Sequence, residues 1–116
     1  MKAFIVSLSI VIIFVTLIIF NAIYINRVTS DLILVANNAS IDTGYEDLSN
    51  LWQRKKLVIS LCAPHKEIDK IEEQIVLMGE SRSRGDLQEF SKAKALFVNY
   101  VEQIQRHERL TLDNIL

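Results

Sequence analysis

Turn-forming and cross-linking residues are scarce in this sequence: three glycines, one proline and one cysteine among 116 residues. No Asn-Gly or Asp-Gly pair is present, so the tightest hairpin turns have no natural seat. A protein of many short strands is thereby disfavoured and helix is expected. The lone thiol, Cys62, cannot close a disulfide within the chain and defines no redox compartment. Set among Leu57, Val58, Ile59 and Leu61, it reads as a small buried hydrophobe rather than half of an intermolecular bridge.

Charge is missing from one whole stretch. Between Lys2 and Arg27 there is no Asp, Glu, Lys, Arg or His, while residues 27–116 hold all 14 acidic and 12 of the 13 basic residues, a balance of −2. Such a mixed surface does not suit a polyanion. The run Arg54-Lys55-Lys56 is too short to make the broad basic face that nucleic acid needs, so no nucleic-acid partner is expected.

The charge-free run AFIVSLSIVIIFVTLIIFNAIYI covers 23 residues. As a helix it extends about 35 Å, enough for a hydrocarbon core of about 30 Å. Its β-branched residues would favour a strand in water, but a lone strand leaves its backbone unsatisfied in lipid and a helix does not. Ser7, Ser9 and Thr16 are tolerable there because their hydroxyls can bond the preceding turn. The run exceeds the roughly 7–15 apolar residues of a signal peptide, and bulky Phe20 two positions before Ala22 makes a poor cleavage site. Residues 1–27 are therefore expected to be a retained transmembrane anchor. Lys2 and the α-amino group on one side, against Arg27 offset by Asp31 on the other, favour a cytoplasmic N-terminus. The domain behind, residues 28–116, is then extracytoplasmic, and the chain a single-pass protein of the cell membrane.

That domain reads as helix throughout. Thr29 or Ser30 opens a stretch with Leu32, Val35, Ala36 and Ala39 at helical spacing, which could simply continue the span. Asp42, Thr43 and Gly44 break the pattern, with Gly44 suited to the left-handed conformation that ends a helix. A second helix over 45–61 aligns Leu48, Leu51, Trp52, Val58 and Ile59, with Lys55 interrupting the stripe. Pro64 stops it and begins the next, unless it only kinks one long helix. The third, over 64–78, carries the seam Ile68, Ile71, Ile75 and Met78, with Glu67 and Asp69 near its positive end.

Residues 79–85 read as a polar connector. Asp86 and Glu89 form a capping-box-like pair that opens a last helix, running to about residue 107 with Phe90, Ala93, Phe97, Tyr100 or Val101, and Ile104 on one face. Thr111 would cap a final turn whose Leu112, Ile115 and Leu116 need apolar cover. The expected architecture is all-α: one N-terminal transmembrane helix followed by a small antiparallel bundle of three to four helices.

Signals for chemistry are weak. His65, Asp69 and Glu72 share a helix face at a spacing that could offer a metal three ligands. Neither Glu-x-x-His nor His-Glu-x-x-His occurs, so capping and a solvated face are the simpler reading, and no metal or other cofactor is expected. His107 suits the terminal carbonyls of its helix. Trp52 reads as core, and would mark a partner surface with Arg54, Lys55 and Lys56 if partly exposed.

Four strings can be read together: MKAFIVSL at the start, NAIYINRVTSDL after the span, APHKEIDKIE in the middle and ERLTLDNIL at the end. In this order they closely resemble the bacterial domain-of-unknown-function 4363 family of Firmicutes such as clostridia. The resemblance implies a small protein with one N-terminal membrane segment and a helical remainder, in the company of envelope proteins. It supplies no catalytic or binding residues to carry over. The expected function is a non-enzymatic interaction or accessory role at the cell envelope. Its partners would be the lipid bilayer, another membrane or envelope protein, or a second copy of the chain. The alternative is a ligand-sensing or metal-binding domain using the cluster at His65.

Overall fold

The computed structural model describes residues 1–115, and side chains through Glu108 and at Leu110. Four helices account for nearly all of it: α1 (Lys2–Asn38), α2 (Tyr45–Ser60), α3 (His65–Arg84) and α4 (Leu87–Ile115). Neighbours around the bundle are α1–α2, α2–α3, α3–α4 and α4–α1, which is an up-down-up-down arrangement with α1 diagonal to α3 and α2 to α4.

The first helix is unbroken across 37 residues, so the span-like run and the first bundle helix are one rod. Neither glycine nor proline interrupts it. Its first part is exposed and its second buries Ala22, Ile25, Val28, Thr29, Leu32 and Ala36. Thr29 sits in this apolar stripe at little cost, because its hydroxyl donates to the Ile25 carbonyl at 2.7 Å.

Buried positions explain why α4 pairs with α1. On α1 and the residue that ends it they fall at Ile25, Val28, Leu32, Ala36 and Ala39; on α4, read backwards, at Ile104, Val101, Phe97, Ala93 and Phe90. Both series step by 3, 4, 4 and 3 residues, as seams of antiparallel neighbours must if side chains are to meet in layers. Across the diagonal, Trp52 meets Phe97 edge to face, centroids 6.4 Å apart and planes at 82°. Each fully buried side chain of this size contributes roughly 1.5–3 kcal/mol through apolar burial. Two polar atoms in this interior lack hydrogen-bond partners, Trp52 Nε1 and Gln74 Oε1; each detracts from that gain.

The connections differ from expectation in three places. α1 stops at Asn38, before the Asp42–Gly44 breakers, because Ala39 turns extended (φ −75°, ψ 137°) and a turn closes through Ser40 N–H to the Thr43 carbonyl at 2.7 Å. Lys94 of α4 donates to the Asn37 and Ala39 carbonyls at 3.1 and 2.9 Å, satisfying acceptors that the helix end leaves open. Gly44 is left-handed (φ 89°) as expected, but it opens α2 rather than closing α1, and a Cβ there would stand 2.9 Å from the Ala39 Cα.

The polar connector at 79–85 does not form. α3 continues to Arg84, and Gly85 alone makes the corner in the left-handed conformation (φ 69°). Its N–H bonds the Arg82 carbonyl, and Asp86 N–H bonds the Ser81 carbonyl at 2.9 Å, so two terminal acceptors are satisfied within one glycine turn. Asp86 then caps α4, its Oδ1 accepting from Glu89 N–H at 3.1 Å. Only this half of the capping box is available, since Asp86 N–H is already committed to α3.

α4 also runs past the expected stop at 107, through 111, to Ile115. No separate turn begins at Thr111; the cover expected over Leu112, Ile115 and Leu116 concerns side chains outside the described residues. Pro64 stands immediately before α3 with extended backbone and marks a hairpin corner rather than a kink.

Candidate functional site

His65 and Asp69 are both exposed on α3, whereas Glu72 turns to α2 and forms an ion pair with Lys56. The three therefore do not converge. Among the described residues no set of three His, Cys, Asp or Glu side chains is gathered closely enough to hold a metal ion. Glu67 in the same stretch pairs with Lys70 at 3.7 Å.

Trp52 and the basic residues that would have formed a partner surface, had the ring been partly exposed, are also separated. Trp52 is wholly buried and belongs to the core, because its place in the α2 stripe points it at Phe97. Lys55 lies over the Tyr24 ring of α1, its ammonium 5.9 Å from the centroid, which explains how a lysine can interrupt the apolar stripe. Lys56 is engaged with Glu72. Arg54 is exposed and lines a shallow groove between α1 and α2, with Asp31, Leu34, Asp47 and Leu51.

A second concavity lies under the α2–α3 corner, where it meets α4. It holds about 240 Å³ and is lined mostly by apolar atoms, with Cys62, Pro64, Glu67, Ile104 and His107 in its wall. His107 lies within α4, eight residues before its end, so it does not cap the helix terminus as expected. The thiol's polar neighbour is Asn21 of α1: Asn21 Nδ2 to Cys62 Sγ is 3.4 Å. Cys62 is thus half-buried and tied to the first helix. Glu67 Oε2 is buried without a hydrogen-bond partner. One thiol, one carboxylate and one imidazole border this cavity.

A contact between α2 and α3 was not visible in the sequence. The Tyr45 hydroxyl donates to the Ile75 carbonyl at 3.1 Å, beside Gly79. Arg82 stacks 5.6 Å from the Tyr45 centroid and reaches Glu46 at 3.7 Å. Burial pushes the Tyr45 phenol above its usual pKa of 10.0, and the Arg82 cation partly opposes the shift. Gly79 was a clue in hindsight: a glycine inside a helix costs about 1 kcal/mol against alanine, so a close neighbour is the reason to expect there.

At the other end, α1 carries an 18-residue window of mean hydropathy 3.1, none of it buried, and is long and apolar enough to cross a membrane. Comparison with curated proteins and with solved structures gives no match. A family described as Domain of unknown function (DUF4363) matches residues 24–115. The matched segment begins where α1 starts to be buried and ends with α4, so it corresponds to the bundle and leaves most of the exposed apolar run outside. The chain belongs to this family of domains of unknown function.

Proposed function

We propose that the chain is a non-enzymatic accessory protein of the bacterial cell envelope, anchored in the cell membrane by the first part of α1. The bundle would engage another membrane or envelope protein. The observation that carries the reading is the division of α1: one unbroken helix, apolar and exposed over its first part, buried in a bundle over its second. A helix with that exposure in water would aggregate, whereas a bilayer covers it.

The N-terminus lies in the cytoplasm and the bundle outside, as the placement of Lys2 and Arg27 favours. The groove between α1 and α2 is the surface best suited to a protein partner. It combines exposed Leu34 and half-buried Leu51 with Asp31, Asp47 and Arg54, an apolar floor with charges at its edge.

Photocrosslinking amino acids at Leu34 and Asn50, with a C-terminal reporter of sidedness, test both parts in intact cells. The expected result is an external C-terminus and a discrete crosslinked product. An internal C-terminus overturns the orientation. Absence of any product at both sites overturns the partner, and a product of exactly twice the chain's mass replaces it with a second copy.

A further inference from the structure

The end of the bundle nearest the apolar run carries leucines that stand exposed among the described residues. Leu61, just past the end of α2, is 81% exposed, Leu57 in its last turn is 72% exposed, and Leu110 of α4 is 62% exposed. Ile23 of α1, 60% exposed, stands at the same end, whereas exposed Leu34, Val76, Leu77 and Leu87 lie farther from it.

The level of these leucines along α1 is fixed by contacts. Cys62 meets Asn21, so the α2–α3 corner stands beside Asn21, inside the apolar run. On α4, Lys94 bonds the Asn37 carbonyl and Gln105 bonds the Asn26 carbonyl at 3.3 Å, so the two helices descend in antiparallel register. Leu110, five residues below Gln105, lies about 7.5 Å further down, near the level of Asn21. Leu61, Leu110 and exposed Phe20 therefore ring one level of the molecule.

That level coincides with a membrane boundary if α1 is the anchor, the reading on which this inference rests. From Lys2 to Asn21 is 19 residues, about 29 Å of helix, against a hydrocarbon core of about 30 Å. With Lys2 at one face, Asn21 lies at the other. Tyr24 and the ammonium of Lys55 stand just beyond it, together with exposed Lys66 and Arg106, with Glu108 as an acidic neighbour. Apolar side chains at the acyl boundary with aromatic and cationic ones a turn further out match the layers of a phospholipid surface.

We propose that the lower end of the bundle is seated in the headgroup layer of the bilayer that α1 crosses, with phospholipid covering Leu61, Leu110 and, more shallowly, Leu57. The bundle stands on the membrane and is not held off it by a stalk.

The test uses the full chain in vesicles of phosphatidylethanolamine and phosphatidylglycerol, one set brominated near the carbonyl end of the acyl chain and another brominated deep in the chain. Cys62→Ser retains a polar group for Asn21 and leaves single labelling sites for bimane at Leu61→Cys, Leu57→Cys, Asn50→Cys and Ile10→Cys. The expected order is several-fold stronger lipid quenching at position 61 than at 50, an intermediate value at 57, and quenching at 10 by lipids brominated deep in the chain. Quenching at 10 with none at 61, whether 61 is then open to aqueous iodide or covered by protein, overturns the seating while sparing the anchor. Absence of quenching at 10 overturns the anchor itself.

Discussion

The two parts of α1 share a backbone and both are mostly apolar, yet they face different surroundings. Over the first, isoleucine, valine, leucine and phenylalanine point in every direction and stay largely exposed; over the second, Ile25, Val28 and Leu32 fall on one buried stripe while Ile23 and Leu34 stand outside it. Helical periodicity is informative only where one side must remain in water. A segment apolar all round asks for a solvent that is apolar all round. On the anchored reading, the boundary between the parts is a change of environment and not a change of structure.

Substitutions that are equivalent in chemistry should separate the two parts. The largest effect is expected for Phe97→Ala, which removes the ring that Trp52 and the α1 stripe pack against. It should cost about 3–5 kcal/mol. Denaturation of the detergent-solubilised protein followed by Trp52 fluorescence measures it, and Ile12→Ala on the exposed apolar part should stay within about 0.5 kcal/mol in the same assay. Equal losses would erase the distinction.

The reverse contrast comes from charge. Ile10→Arg should disfavour membrane insertion by about 2.5–3.5 kcal/mol, read as the inserted fraction in a translocation assay. Leu34→Arg, on an exposed face of the same helix within the bundle, should change neither insertion nor folding by more than about 0.5 kcal/mol.

Within the bundle, Gly79→Ala places a Cβ 2.5 Å from the Tyr45 hydroxyl. A destabilisation of about 1 kcal/mol is expected, the overpacking exceeding the gain in helix propensity. In a Tyr45→Phe background the loss should shrink, and a double-mutant cycle in urea reads the coupling. The smallest effect concerns pH. Because the folded phenol has a raised pKa, its contribution is complete below the unfolded value of 10.0 and is lost as pH rises through the folded one. The urea midpoint should fall as pH rises past 10.0, and the Tyr45-dependent part of that fall should vanish in Tyr45→Phe.

Much of this architecture was legible because it rests on local rules. Pro64 breaks one helix and begins the next through its own ring, and Asp86 caps α4 through its own side chain. The seam residues Ile68, Ile71, Ile75 and Met78 are all buried as their spacing indicates. What the sequence hid depends on distant partners. Residues 79–85 looked like a connector because glycine and serine weigh against helix. Instead Ser81 is buried with its hydroxyl bonded to the Leu77 carbonyl, and Gly79 makes room for a tyrosine more than thirty positions earlier. The basic run at 54–56 looked like one surface, but a helix turns 100° per residue, so its members reach a groove, a ring on α1 and a carboxylate on α3. No spacing rule foretells the cavity at Cys62, Glu67 and His107, which three elements assemble.

An α1 without a joint has a mechanical consequence. The part of it inside the bundle, from Ala22 to Asn38, is 17 residues, or about 25 Å of lever. A tilt of about 20° in a bilayer, ordinary for a single span, would sweep the top of the bundle sideways by roughly 9 Å. With no glycine or proline to absorb the angle, bilayer thickness and bundle position become a single variable.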